Sequence, residues 1–139
     1  MLKIALIGLT LFTTTANANP LIVEAFYDKD TRLVNVQMAE RVASVKSYDL
    51  SAPDQFEKQL SEGLSSDPTI AQKQAKVRIE QRGNEIQQQL MAAYEGALKA
   101  MKYEINKIPA IVFNGGEHVI YGVNDVNKAI SMYKQQVAQ

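Results

Sequence analysis

Nucleophilic, redox and metal chemistry in proteins rests on a few side chains, and this sequence is short of them. Cysteine is absent from all 139 residues, which excludes disulfides, thiolate nucleophiles and any Cys-X-X-Cys redox pair. His118 is the single histidine. With no second His or Cys beside it in sequence it lacks the partners of a metal site and reads as a hairpin position. Asp28 and Asp30 stand at i and i+2 after an apolar run, the pattern of turn chemistry rather than of a general acid–base pair. Asn114-Gly115-Gly116 is a turn signal, and no Gly-Lys-Ser/Thr follows it as a phosphate loop requires. No catalytic residue, metal ligand or cofactor site is expected, and the chain reads as a non-enzyme.

One stretch could bind without reacting. In Lys107-Ile108-Pro109-Ala110-Ile111-Val112-Phe113 a proline opens a short apolar, β-branched run, a place where a missing ladder donor is tolerated. Asn114-Gly115-Gly116 and a second run, His118 to Tyr121, complete the signature of a buried β-hairpin. The Ile108–Pro109 bond is expected to be cis. Backbone beside such a proline can pair with an extended peptide, or the proline can serve only to shape the hairpin; the residues leave both open. The candidate contact set is Ile108, Pro109 and Tyr121 with Asp28, Asp30 and Arg32 of the loop after the first strand. Tyr94, Tyr103 and Tyr121 could add an aromatic surface, although core packing with the hydroxyl at the rim is the plainer account.

The elements that must position these residues follow in order. Leu21 to Tyr27 is β-branched and aromatic and suits an inner strand covered on both faces. Thr31 to Glu40 fits neither period and reads as an irregular segment or a short helix. Val42 to Leu50 is a second strand, with Val45 and Tyr48 inward. Ser51 is a candidate N-cap, Pro53 is tolerated in a first turn, Phe56 and Leu60 recur at i and i+4, and Gly63 is the stop. Asp67-Pro68 opens a new helix. From Thr69 to about Tyr103, Val77, Ile86, Leu90, Ala93, Ala97 and Met101 keep helical spacing, widened by Ile70, Ile79, Tyr94 and Leu98. Gly83 and Gly96 each weaken it by about 1 kcal/mol relative to alanine, and a break or bend is expected near Gly83. Asn124 is placed as the cap of a last helix that buries Val126, Ala129, Ile130, Tyr133 and Val137.

Two parallel strands, a helical section, a proline-led hairpin and a final helix make an α/β, thioredoxin-like plan with a helical insertion between the two strand pairs. A redox-active thioredoxin carries its cysteines after the first strand, where this chain reads Tyr27-Asp28-Lys29-Asp30-Thr31-Arg32. The fold is expected without its Cys-X-X-Cys.

Composition limits the partners. Fifteen basic and fifteen acidic residues give zero formal net charge, which argues against nucleic acid or an anionic membrane as the direct partner. Met1 to Ala18 has the pattern of a secretory signal peptide: Lys3, an apolar centre from Ile4 to Phe12, and Ala16-Asn17-Ala18 as a small-X-small cleavage site. A domain over 19–139, periplasmic and without membrane insertion after cleavage, is expected. No cysteine follows the cleavage site to carry a lipid.

Taken together, Val23-Glu24-Ala25-Phe26, Tyr48-Asp49-Leu50, Leu60-Ser61-Glu62-Gly63-Leu64, Asp67-Pro68, Ala92-Ala93-Tyr94-Glu95-Gly96, Lys107 to Val112 and Val119-Ile120-Tyr121-Gly122 resemble a known family. This is the group of small secreted proteins of integrating conjugative elements that carry a domain of unknown function and are encoded with conjugative type IV secretion genes. No single motif is specific; the order and spacing, from about Leu21 to Tyr133, carry the likeness. The resemblance implies a thioredoxin-like periplasmic component of DNA transfer that contacts other proteins of the apparatus, with no established catalytic residues to carry over. The alternative function is a chaperone-like or isomerase-like helper for envelope proteins of the same system, which a large exposed apolar face on the helical section would favour.

Overall fold

Alternation along the first strand dictates the layers of this protein. In the computed structural model, which describes residues 19–139, β1 (Ile22–Tyr27) lies inside a four-stranded sheet and is buried on both faces. Val23 and Ala25 point into one core, Phe26 into the other, and Glu24 shares the face of Phe26. α1 (Val36–Ala39) is a single turn that leads into β2 (Ser44–Asp49), parallel to β1. β3 (Ala110–Phe113) pairs antiparallel with β1, and β4 (His118–Tyr121) antiparallel with β3, giving the order β2-β1-β3-β4. α2 (Ala52–Ser61) and α3 (Pro68–Lys102) lie between the strand pairs, and α4 (Val126–Val137) ends the chain. This mixed α/β arrangement is the one expected of a thioredoxin-like domain.

The two faces are covered differently. On one, Val126, Ala129, Ile130 and Tyr133 of α4, with Ala39 of α1, pack on Val23, Ala25, Ile111, Phe113 and Ile120. Phe113 and Tyr133 stack with ring centroids 4.4 Å apart. On the other, Phe26, Tyr48, Ala110 and Val112 meet the end of α3 through Ala100 and Tyr103. Val45 and Tyr48 are both inward as expected because the sheet has two covered faces: Val45 joins the first core and Tyr48 the second.

Several local expectations are revised. α3, by contrast, has the break expected near Gly83: two helical segments are joined across a kink at Arg82 (φ −128°, ψ 21°), one residue before Gly83. Asp67 caps it, accepting from the N–H groups of Thr69 (2.8 Å) and Ile70 (3.1 Å). Asp125, not Asn124, caps α4 by accepting from Lys128 N–H, because the Asn124 amide is occupied in donating to the Arg32 carbonyl. Ser51 precedes α2 without a side-chain cap bond; its Oγ accepts from Lys29 N–H and donates to Asp49. Val42 falls outside β2, in a turn whose N–H groups bond back to α1 carbonyls.

The largest revision concerns α3. Ile70, Val77, Ile79, Leu90, Leu98 and Met101 are exposed, and the buried residues of the helix are Gly96 and Ala100. Small residues let the helix backbone lie close on Tyr48: a Cβ at Gly96 would stand 2.9 Å from Tyr48 Cβ. The contact face is set by that close approach, and the apolar stripe is rotated away from it. At the other end of the insertion, the Arg78 guanidinium donates to the carbonyls of Leu60 (2.5 Å) and Glu62 (3.1 Å), satisfying orphan groups at the end of α2.

Alanine substitutions at the two helix glycines separate propensity from packing. Gly83 has open space around a Cβ, so Gly83→Ala is expected to stabilise by up to about 1 kcal/mol. Gly96→Ala gains the same propensity but forces Tyr48 to shift and is expected to destabilise by about 1–3 kcal/mol. Urea midpoints of the two variants test this; equal shifts would contradict the close approach.

Candidate functional site

The sequence-predicted contact residues converge on one end of the sheet. Phe26 pairs with Ala110 and Ala110 with Tyr121, so the end of β1, the start of β3 and the end of β4 lie side by side. The Ile108–Pro109 bond is cis. Gly122 N–H donates to the Pro109 carbonyl at 2.9 Å, with Gly122 at φ 75°; a glycine accommodates that left-handed turn without strain. Ile108 turns its side chain into the second core. Among the described residues its N–H and carbonyl have no hydrogen-bond partner. Tyr121 is exposed at the same end.

The loop after β1 is anchored rather than free. Asp28 Oδ1 accepts from the N–H groups of Asp30 (3.0 Å) and Thr31 (2.9 Å), the turn chemistry its spacing suggested. The side chains of Asp30 and Arg32 face solvent. The Arg32 carbonyl accepts from the Asn124 amide (2.9 Å), and Val34 N–H donates to the Asn124 carbonyl (3.0 Å), so the loop is fastened to the segment that follows Tyr121. His118 lies at the opposite end of β4, edge-on to the Tyr133 ring. Among the described residues no cluster of His, Asp or Glu has the makings of a metal site.

A second polar constellation was missed by sequence reasoning. Glu24 is buried on the α3 side of β1, 5% exposed. Its carboxylate accepts from Lys99 Nζ (2.8 Å), the Tyr103 hydroxyl (2.5 Å) and the Tyr48 hydroxyl (3.2 Å). The available signal was an acidic residue inside a run otherwise fit for an inner strand, since a buried carboxylate must find donors. A cavity of about 520 Å³ opens beside it, lined by residues that include Asn19, Ile22, Lys99, Tyr103 and Asn114. It lies toward the opposite end of the sheet from Pro109 and is separate from the cis-proline site.

A family model described as a protein of unknown function (DUF1525) matches residues 23–139. The chain belongs to the DUF1525 family. No curated protein and no solved structure matches it. The match runs from β1 to the end of the chain, so the cis-proline end and the Glu24 cluster both lie within the DUF1525 domain.

Electrostatics in this DUF1525 protein centre on Glu24. Burial alone would push its carboxyl up, but hydrogen bonds from Lys99 and Tyr103, with the Lys99 charge, hold it below the usual carboxylate range. Lys99 is raised in turn, chiefly by its hydrogen bond to Glu24, and Tyr103 is raised by the same carboxylate. The arrangement is a charge-assisted clamp.

A depressed folded-state pKa means that the folded protein binds fewer protons than the unfolded chain. The Glu24 contribution is complete above the unfolded value, about 4.3, and is lost as pH falls through the folded value. Glu24→Gln is expected to cost roughly 1–3 kcal/mol at neutral pH. The gap to the native chain is expected to shrink at about pH 3, below the unfolded value. Chemical denaturation at both pH values tests this; a gap of constant size would contradict an ionised Glu24.

Proposed function

We propose that this protein is a non-catalytic periplasmic component of a conjugative DNA-transfer (type IV secretion) apparatus. In this reading it holds an extended segment of another protein of that apparatus at the Ile108–Pro109 end of the sheet. The observation that carries the binding mode is the unpaired Ile108 backbone: a donor and an acceptor at a sheet end, flanked by the exposed Tyr121 and by the anchored loop of Asp28, Asp30 and Arg32. An extended peptide supplies complementary main-chain groups, and flanking side chains supply selectivity. The biological setting rests on the resemblance carried by the order and spacing of the segments from Val23-Glu24-Ala25-Phe26 to Val119-Ile120-Tyr121-Gly122. The total absence of cysteine leaves binding without thiol exchange as the use of such a site.

A second reading, a chaperone-like helper for envelope proteins, is favoured by one observation. Met91, Leu98 and Met101 are 67%, 64% and 75% exposed on α3, and flexible methionines are well suited to varied apolar clients.

Photo-crosslinking in a donor strain distinguishes the two. A photoreactive residue at Tyr121 is expected to give one discrete adduct with a protein of the secretion apparatus, and one at the exposed Gln88 of α3 none. A broad set of envelope proteins captured at Leu98, with nothing at Tyr121, would overturn the first reading in favour of the helper.

A further inference from the structure

The sheet has two edges, and they differ. β4 is four residues long and offers main-chain groups outward only at Val119 and Tyr121, since His118 and Ile120 bond to β3. β2 is six residues long. The bonds from Ser44 N–H to the Leu21 carbonyl and from Leu50 N–H to the Tyr27 carbonyl fix its register on β1. In that register the even-numbered residues bond inward, and the N–H and carbonyl groups of Val45, Ser47 and Asp49 point away from the sheet. Among the described residues none of these backbone groups has a partner.

Natural edges of this length are protected by bulges, prolines or projecting lysines. β2 has no proline, and its pairing with β1 runs unbroken from Ser44 to Asp49. Its one lysine is drawn off the edge: Lys46 is bonded to Glu95 of α3 and lies 5.2 Å from the centroid of the Tyr48 ring. At the middle of the strand the exposed side chains are Lys46, held to Glu95, and the small Ser47.

We propose that β2 is the pairing edge of a two-fold dimer, joining two sheets antiparallel through Val45, Ser47 and Asp49. The register selects a second copy as the occupant. With the axis at Ser47, Ser47 faces Ser47 of the second copy and Val45 faces its Asp49, so every outward backbone group of the strand is used in three hydrogen-bonded pairs. Lys46 then stands opposite Tyr48 of the second copy, whose ring is buried in its own core, and no like charges stand opposite one another. An axis at Asp49 would set two carboxylates face to face. An axis at Val45 would run each strand into the Arg41–Ala43 turn, whose N–H groups are already bonded to Met38 and Ala39 carbonyls. The proposal does not rest on peptide binding at Pro109, because β2 and β4 are opposite edges of the sheet.

A cysteine-free chain makes the test direct, since any thiol is one introduced. Facing pairs of this kind have Cα atoms about 5.5 Å apart, within disulfide range. The two Ser44 residues of the dimer stand six positions apart along the strands, roughly 20 Å. Under mild oxidation Ser47→Cys is expected to form a covalent dimer in high yield and Ser44→Cys is not. Sedimentation of the native full chain is expected to give the mass of two chains, and of Ser47→Pro the mass of one with an unchanged far-ultraviolet spectrum, because the lost N–H faces outward. Equal crosslinking of the two cysteine variants, no crosslinking of either, or a native chain that sediments as one would each overturn the proposal.

Discussion

A single buried carboxylate ties the two halves of this fold together. Glu24 sits in an inner strand, and its donors come from the neighbouring strand through Tyr48 and from the end of α3 through Lys99 and Tyr103. Leaving such a group unpaired in the interior would cost several kcal/mol, so the position of the long helix on the sheet is not free. Lys99 and Tyr103 lie one turn apart and reach the same carboxylate, which fixes the rotation of α3 as well as its place. Once that rotation is set, Gly96 and Ala100 must be the residues beneath the helix, and only small residues fit against Tyr48.

The exposed apolar stripe of α3 follows from the same constraint. Leu90, Met91, Leu98 and Met101 cannot reach the sheet while Lys99 and Tyr103 hold Glu24. The helical insertion is therefore fastened at its end by a polar clamp and along its middle by α2, with Arg78 closing the α2 carbonyls. Its outer face is left available. The cis-proline end, by contrast, is built on strands apolar on both faces and on a loop held by Asn124, which keeps Ile108 and Tyr121 in a fixed geometry.

Local chemistry was legible in the sequence where the responsible residues are neighbours. The proline-led hairpin, the Asp28 turn, the Gly63 stop at φ 73° and the Asp67 cap all rest on residues within a few positions of one another. Non-local chemistry was not. Glu24 and Lys99 are 75 positions apart, and nothing in helical periodicity says that a glycine and an alanine, rather than leucines and methionines, form the buried face. Asn124 and Asp125 are equally competent caps, and only the tertiary bond from Asn124 to Arg32 decides between them. The candidate contact residues were identified individually; their convergence comes from the antiparallel return of β3 on β1 and of β4 on β3.

The proposed binding without chemistry requires a main-chain donor and acceptor that the fold leaves open at a rigid position, and the proposal assigns that place to Ile108, whose N–H and carbonyl have no partner among the described residues. Amide hydrogen exchange resolved by residue tests this most directly. Fast exchange is expected at Ile108 in the free protein beside strong protection at Ile111 and Val112, both buried within β3. Protection of Ile108 matching that of Val112 would mean that its amide is already bonded within the fold, and would contradict the binding role assigned to the cis-proline end.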